Sequence, residues 1–324
     1  MATNPGSHPE PVASIAAPKR KPEASGLLDQ AALLACDIKL SHTVFALPFA
    51  LLGMGLACGW AGRWPSVGEV LLILVCMVTA RTFAMSVNRL ADAAIDAENP
   101  RTQRRAVADG RISRRFAASA VAATGFGFVL ATLGFWWLRD NVWPAALSLP
   151  VLGVLAGYSF TKRFTWLCHV VLGFALAISP VAAALAIEPG YLADRPAAWL
   201  IAGMVLCWVA GFDVVYALQD VEVDRKLGLF SMPASLGAES ALWISRGLHL
   251  LALVCLAGAW WVSPLLGLWF AAGVALTTAL LVLEHALVWR SATNRIHLAF
   301  FTVNGIISLL LGAAGLGDIV LRSA

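Results

Sequence analysis

Long apolar segments repeat along almost the whole chain, and most have the length that a helix needs to cross a bilayer. About 20 mostly apolar residues span the hydrocarbon core of a membrane. Of the 324 residues, 60% are hydrophobic and only 13% are charged. A soluble domain carries about twice that charged fraction. We therefore predict an all-α polytopic membrane protein, and the composition excludes an ordinary soluble globular domain.

The apolar segments number nine, at residues 41–61, 67–90, 116–138, 142–160, 165–188, 197–218, 241–262, 264–289 and 296–320. Basic residues concentrate before the first segment and after every even one: Lys19, Arg20, Lys21, Arg101, Arg104, Arg105, Arg111, Arg114, Arg115, Lys162, Arg163, Arg225, Lys226, Arg290 and Arg295. The opposite loops hold only Arg63, Arg139 and Arg195. By the positive-inside rule, this asymmetry predicts a cytoplasmic N-terminus and an external C-terminus.

The first 32 residues differ in composition from the rest of the chain. They are rich in Pro, Ser and Ala and lack apolar periodicity, which predicts a disordered cytoplasmic tail. The tail has no apolar region of its own, so we do not expect a secretory signal peptide. Residues 33–324 are predicted to form one membrane domain.

Two short acidic windows end the second and sixth apolar segments. They share one pattern, a polar residue followed by two aspartates at intervals of four: Asn88, Asp92 and Asp96 in the first, Tyr216, Asp220 and Asp224 in the second. On a helix this spacing places the three side chains on one face. Carboxylates this crowded repel one another unless a cation lies between them. Hard oxygen ligands suit Mg²⁺, which commonly takes phosphate oxygens as further ligands. The windows therefore predict two halves of a site for magnesium and a diphosphate.

The alternative is that these acids are solvated helix ends, but so many on matching faces fit that interpretation poorly. The two windows lie 128 residues apart, from Asp92 to Asp220 and from Asp96 to Asp224. This spacing predicts an internal repeat of four helices plus one extra helix. Both windows would then face a shared cytoplasmic cavity.

Several charged residues near the windows are further candidates. Arg101, Arg105 and Lys162 could neutralise a departing diphosphate, although they could also be ordinary topology-setting charges. Arg81 lies within an apolar segment, seven residues before Asn88, where a charge is costly unless it has a function. Asp213 lies two turns deeper than Asp220, where it could contact the organic substrate or a proton, or be a satisfied polar group.

His42, in Ser41-His42-Thr43 at the start of the first segment, is a possible contact of an aromatic substrate. No histidine pair has the spacing of a zinc site. The six cysteines are scattered, which is typical of buried free thiols. Glu222 faces away from the second window, since it is only two residues from Asp220.

With these residues in place, the chain resembles the UbiA superfamily of intramembrane aromatic prenyltransferases over residues 33–320. The resemblance rests on the paired acidic motifs and on further segments: 41–50 (SHTVFALPFA), 99–102 (NPRT), 158–165 (YSFTKRFT), 169–173 (HVVLG) with Pro180, and 228–233 (GLFSMP). Within the superfamily, these segments look most like the 4-hydroxybenzoate polyprenyltransferase branch, which includes related enzymes of the futalosine route to menaquinone. One loop departs from the usual pattern, reading Arg105-Ala-Val-Ala-Asp-Gly110.

The resemblance implies nine transmembrane helices around a central cavity, and it implies roles for individual residues. Asn88, Asp92 and Asp96 would bind one Mg²⁺, while Asp220 and Asp224 would bind the other beside Tyr216. Lys162, Arg101, Arg105 and Arg81 would hold the diphosphate. Asp213, Asp220 and Arg163 would be catalytic, with Asp213 and Arg163 also candidates for contacting the aromatic acceptor.

The implied function is Mg²⁺-dependent transfer of a polyprenyl group from polyprenyl diphosphate to the 3-position of 4-hydroxybenzoate, in ubiquinone biosynthesis. One alternative is a different aromatic acid of the futalosine route. The alternative of a different class is a transporter, but transporters with inverted repeats place their ion sites near mid-membrane. The expected partners are the two substrates and the lipid bilayer of the bacterial inner membrane, with no nucleic acid. No oligomeric state follows from the sequence.

Overall fold

The computed structural model describes residues 26–38, 45–290 and 302–323, and within these ranges the regular structure is helical. The α-helices are α1 (Leu27–Asp37), α2 (Leu47–Trp60), α3 (Val67–Glu98), α4 (Arg114–Arg139), α5 (Trp143–Thr161), α6 (Cys168–Ile187), α7 (Pro189–Asp194), α8 (Ala197–Ala217), α9 (Val221–Lys226), α10 (Met232–Leu236), α11 (Ala238–Val262), α12 (Leu268–Arg290) and α13 (Asn304–Ser323). A short 3-10 turn, Leu218–Asp220, joins α8 to α9.

The membrane-spanning architecture agrees with the sequence prediction. Eight helices of the described ranges are long and apolar enough to cross a bilayer, and α2 is a shorter apolar helix. Together they correspond to the nine predicted segments, and the all-α class is confirmed. The main differences are at the ends: α2 begins at Leu47, whereas residues 41–44 lie outside the described part, and α3 continues eight residues past the predicted boundary at 90.

The N-terminal helix α1 overlaps the segment predicted to be a disordered tail. Residues 27–32 of that tail are helical, while residues 1–25 lie outside the described part. Leu34 and Ile38 are buried in a cluster with Val107 and other residues of α3, α4 and the loop between them. This apolar contact explains why the helix forms here, since a helix of this length is marginal without packing.

Three helices pack closely at the centre of the bundle. An added Cβ at Gly53 of α2 would lie 2.1 Å from the carbonyl oxygen of Pro180 in α6, and one at Gly173 of α6 would lie 2.3 Å from that of Leu206 in α8. Small residues at such contacts let membrane helices approach backbone to backbone. The fully buried Trp208 of α8 fills the adjacent space. This tight packing holds α6 and α8 in fixed register beneath the second acidic window.

The end of the bundle opposite the acidic windows has its own charged anchor. Glu69, in the first turn of α3, is completely buried and accepts hydrogen bonds from Arg63 (2.7 and 3.0 Å) and Arg139 (2.9 and 3.1 Å). The hydrogen bonds from Arg63 to Glu69 are the main reason that the pKa of Arg63 is raised. Exposed tryptophans gather at this end, as at a membrane interface: Trp60, Trp64, Trp136, Trp137, Trp143, Trp199, Trp260, Trp261 and Trp269.

Candidate active site

The first acidic window occupies the last three turns of α3. The helix is unbroken from Val67 to Glu98 and ends where Pro100 cannot continue it. The chain then forms a loop over residues 99–113, in which Asn99 acts as a hub. Its amide side chain donates to Asp220 Oδ1 (2.8 Å), and its Oδ1 accepts the backbone N–H of Arg101 (2.9 Å). The loop therefore connects the two windows directly.

Asp92 is the most heavily contacted carboxylate of the first window. Its side chain is 3% exposed. Oδ2 accepts from Lys162 Nζ at 2.7 Å and from Asn88 Nδ2 at 3.0 Å, and Oδ1 accepts from Arg163 at 2.9 Å. Lys162 and Arg163 follow the end of α5, so this cluster ties α3 to α5. A buried carboxylate needs such partners to remain charged.

Asp96 lies one turn further along α3 and is also buried. One guanidinium nitrogen of Arg105 donates to both of its oxygens, at 2.7 and 2.8 Å. The Thr102 hydroxyl donates to the backbone carbonyl of Asp96 at 3.2 Å, which pins the loop to the end of the helix. The two aspartates of this window thus face different cations.

The second window is bent rather than a continuous α-helix. The 3-10 turn separates Tyr216, at the end of α8, from Asp224 in α9. Tyr216 and Asp220 nevertheless lie side by side, because Arg101 donates to the Tyr216 hydroxyl at 2.7 Å and to Asp220 Oδ1 at 2.9 Å. The third guanidinium nitrogen of Arg101 contacts Asp220 Oδ2. The Arg101 guanidinium lies 4.9 Å from the centre of the Tyr216 ring, a cation–π distance.

Arg101 lies in the loop outside the spans, and its environment keeps it charged. Burial opposes the charge, but the hydrogen bond to Asp220 and the neighbouring acids outweigh burial and raise the pKa of Arg101. Asp224, by contrast, accepts from the hydroxyl of Ser231 at 2.6 Å and lies within electrostatic range of Lys162. Both windows and their cations therefore form one connected cluster.

Asp213 is held by a residue that the sequence pattern does not single out. Its Oδ2 lies 2.7 Å from Nδ1 of His169, at the start of α6. The histidine is buried, whereas the Asp213 side chain is 23% exposed. Asp213 is thus a paired carboxylate in α8, one turn before that helix ends, and its predicted contact with the organic substrate stays a prediction.

The oxygen ligands of the two windows fit Mg²⁺ only if water and a substrate supply the remaining ligands. Among the described residues, no three His, Cys, Asp or Glu side chains converge to hold an ion on their own. Each window offers at most two carboxylates, with the Asn88 amide oxygen beside the first. Mg²⁺ usually keeps several waters and binds one or two carboxylates together with substrate phosphates, so the sets suit an ion shared with a diphosphate.

Most predicted site residues belong to the cluster, with two exceptions. Arg81 lies in α3 within electrostatic range of Tyr158 and Arg89, and its predicted contact with a diphosphate stays a prediction. His42 lies outside the described residues. Three cluster residues were not predicted: Asn99, His169 and Ser231. The only signal for them was the family resemblance of their segments, because their partners are distant in sequence.

Comparison with known families matches this architecture to one of them. The model of the UbiA prenyltransferase family matches residues 46–306. The 4-hydroxybenzoate octaprenyltransferase of Paracidovorax citrulli is 32% identical over 238 residues, which cover 72% of this chain and 75% of that protein. The protein of the same name from Ectopseudomonas mendocina is 34% identical over 68% of this chain and 71% of its own length. These relatives belong to the branch that the motifs indicate.

Solved structures show the same fold. The apo structure of a UbiA homolog from Aeropyrum pernix K1 has a TM-score of 0.76 and 30% identity, covering 88% of this chain and 99% of that one. A UbiA homolog from Archaeoglobus fulgidus, bound to GPP and Mg²⁺, has a TM-score of 0.68 and 20% identity, covering 90% and 99%. The chain belongs to the UbiA prenyltransferase family and is a membrane-embedded prenyltransferase.

Proposed function

We propose that this enzyme transfers a polyprenyl group from a polyprenyl diphosphate to the 3-position of 4-hydroxybenzoate, in a Mg²⁺-dependent step of ubiquinone biosynthesis. The observation that carries the proposal is the clustering of cations on both acidic windows: Lys162 and Arg163 on Asp92, Arg105 on Asp96, and Arg101 on Asp220. Cations and paired carboxylates at one end of a membrane bundle suit a diphosphate with metal. The choice of acceptor rests on the names of the relatives.

The cations would change partners when the substrate binds. Lys162, Arg101 and Arg105 now neutralise carboxylates, and each would turn to a phosphate oxygen once Mg²⁺ neutralised those acids. In this assignment Asn88, Asp92 and Asp96 would hold one ion, and Asp220 and Asp224 would hold the other. When bound, Mg²⁺ would stabilise the charge that gathers on the leaving diphosphate. Arg163, which also donates to the backbone carbonyls of Ser159 and Ala91, would be oriented toward the acceptor.

The expected activity can be tested in membranes from cells that overproduce the protein. Incubation with Mg²⁺, a labelled polyprenyl diphosphate and 4-hydroxybenzoate should give prenylated 4-hydroxybenzoate, identified by mass spectrometry. Chelation of Mg²⁺ by EDTA should abolish the product, since the cluster would lose the ions that offset the diphosphate charge. Parallel reactions with other aromatic acids test the acceptor. Product from one of those acids alone would contradict the assignment to 4-hydroxybenzoate, and no product from any acceptor would contradict prenyl transfer to an aromatic acid.

We also propose that the acidic windows face the cytoplasm of a bacterial cell, with the N-terminus inside and the C-terminus outside. The basic loops support this orientation, since they lie at the same end of the bundle as the windows, and basic loops are enriched on the cytoplasmic side of a membrane. Single cysteines placed in a cysteine-free background test it. Gln103→Cys, in the loop beside the first window, should react with an impermeant maleimide only after spheroplasts are opened. Asp194→Cys, at the opposite end, should react in intact spheroplasts, and the reverse pattern would refute the orientation.

A further inference from the structure

His169 of α6 is buried, whereas its partner, Asp213 of α8, is partly exposed. The histidine side chain is 4% exposed, whereas the Asp213 side chain is 23% exposed, and their Nδ1 and Oδ2 atoms lie 2.7 Å apart. Since the imidazole is covered by protein on almost every side, the pair presents the carboxylate, and not the ring, to the site.

The second ring nitrogen of His169 is also occupied. The backbone N–H of Met232 lies 3.2 Å from Nε2. A backbone N–H can only donate, so Nε2 accepts, and the proton of the neutral ring lies on Nδ1, where it is donated to Asp213. Both nitrogens therefore have partners inside the protein, and neither is available to a substrate.

Met232 belongs to a short segment that contacts three parts of the site in succession, here called the 230–232 strap. The backbone N–H of Phe230 donates to the carbonyl oxygen of Lys162 at 2.7 Å. The Ser231 hydroxyl donates to Asp224, and the Met232 N–H donates to His169. The strap therefore places His169 in a fixed position relative to the lysine and to the second window.

We propose that His169 is a positioning residue, which holds the Asp213 carboxylate in one orientation so that its exposed edge accepts a hydrogen bond from the hydroxyl group of the aromatic acceptor. This inference rests on the proposed function and adds to it a device for acceptor recognition. Asp213 lies in α8, one turn before that helix ends at Ala217, and Asp220 ends the 3-10 turn that follows, so Asp213 lies deeper in the bundle than Asp220. An acceptor there would lie beneath a diphosphate held by the two windows. The ring of Phe212, the residue before Asp213, is buried against Trp208.

A rescue experiment separates positioning from a general structural role. His169→Ala in the full-length enzyme should raise KM for the acceptor on the order of 10- to 100-fold, the range for losing a hydrogen bond to a charged group. KM for the polyprenyl diphosphate should change less than about twofold, because the charged clusters keep their own partners. His169→Gln should restore most of the loss, since its amide can donate to Asp213 and accept from the Met232 N–H. Phe174→Ala, an exposed position on the same helix, serves as the matched control.

A double-mutant cycle with Asp213→Ala completes the test, because alanine cannot accept the hydrogen bond from His169. If His169 acts through Asp213, the double variant His169→Ala/Asp213→Ala should be no worse for the acceptor than Asp213→Ala alone. The inference would be overturned if the two single substitutions multiplied their effects on the acceptor KM in the double variant. It would also be overturned by an equal rise in KM for both substrates, or by a glutamine variant as impaired as the alanine variant. If His169→Ala fails to fold, His169→Gln and Asp213→Ala still decide the outcome. Failure of the proposed function would look different, because the unmutated enzyme would then form no prenylated acceptor.

Discussion

Replacing Asp92 or Asp220 with asparagine is expected to reduce prenyl transfer on the order of 100- to 1,000-fold, the loss typical of removing a key electrostatic group from an active site. Asparagine has nearly the same shape, so the helices should pack as before. Asp92 accepts from Lys162 and Arg163, and Asp220 from Arg101. Without the carboxylate these cations face a neutral amide, and the window loses the charge that would bind Mg²⁺.

The measurement is product formation against Mg²⁺ concentration, in membranes that contain equal amounts of each variant. The variants should need more Mg²⁺ and still fall short of the unmutated rate, because a neutral ligand binds the ion less tightly. Glu222→Gln is the matched control, since this exposed acid lies two residues from both Asp220 and Asp224. It should retain normal turnover. Full turnover by both asparagine variants would show that the site has been assigned wrongly.

The sequence predicts the membrane helices and the acidic windows well because both depend on local spacing. Long apolar segments form helices in a bilayer whatever their neighbours, since every backbone polar group must be satisfied within the segment. The interval of four in Asn88, Asp92 and Asp96 is likewise a property of one helix. These features require no knowledge of how the helices pack.

The contacts within the cluster depend on tertiary structure, and the sequence could not specify them. Asn99 and Asp220 are 121 positions apart, and His169 and Asp213 are 44 apart. The spacing of the second window also does not reveal the 3-10 turn before α9. Tyr216 and Asp220 lie side by side despite this turn, because both accept hydrogen bonds from Arg101. Local patterns therefore identify which acids come together in the cluster, whereas the packing decides which cation each one meets.

The helix α1 shows how tertiary contact can override composition. Its sequence follows a segment rich in Pro and Ser, yet it packs on the loop after the first window. Arg89, with a side chain only 6% exposed, lies 3.1 Å from Asp37 of α1. Its Nε and the Asp37 Oδ2 are close without forming a well-directed hydrogen bond, but another nitrogen donates to the Asp37 carbonyl at 3.2 Å. Arg89 also donates to Asn88 Oδ1 at 3.0 Å, so α1 is linked through one arginine to the first window.

Gly53→Ala is expected to destabilise the fold by about 3 kcal/mol, the upper end of the usual cost of overpacking. The added Cβ would lie 2.1 Å from the Pro180 carbonyl oxygen and 2.9 Å from its Cα. These are backbone atoms of a helix, so no side-chain rotation relieves the clash, and α2 must move away from α6. Such a shift would also disturb the start of α6, where His169 lies. Thermal unfolding of the purified protein in detergent, followed by loss of monodisperse material, measures the effect.

Gly153→Ala provides the comparison for this substitution. Gly153 lies within α5, and an added Cβ there meets no atom within 4 Å. Alanine also has a higher helix propensity than glycine. The melting temperature of this variant should therefore match or exceed that of the unmutated protein, while that of Gly53→Ala falls by several degrees. Equal stability of the two variants would show that α2 and α6 lie further apart at Gly53 than the distance of 2.1 Å from the added Cβ to the Pro180 oxygen implies. It would also show that the centre of the bundle can adjust to an extra methyl group.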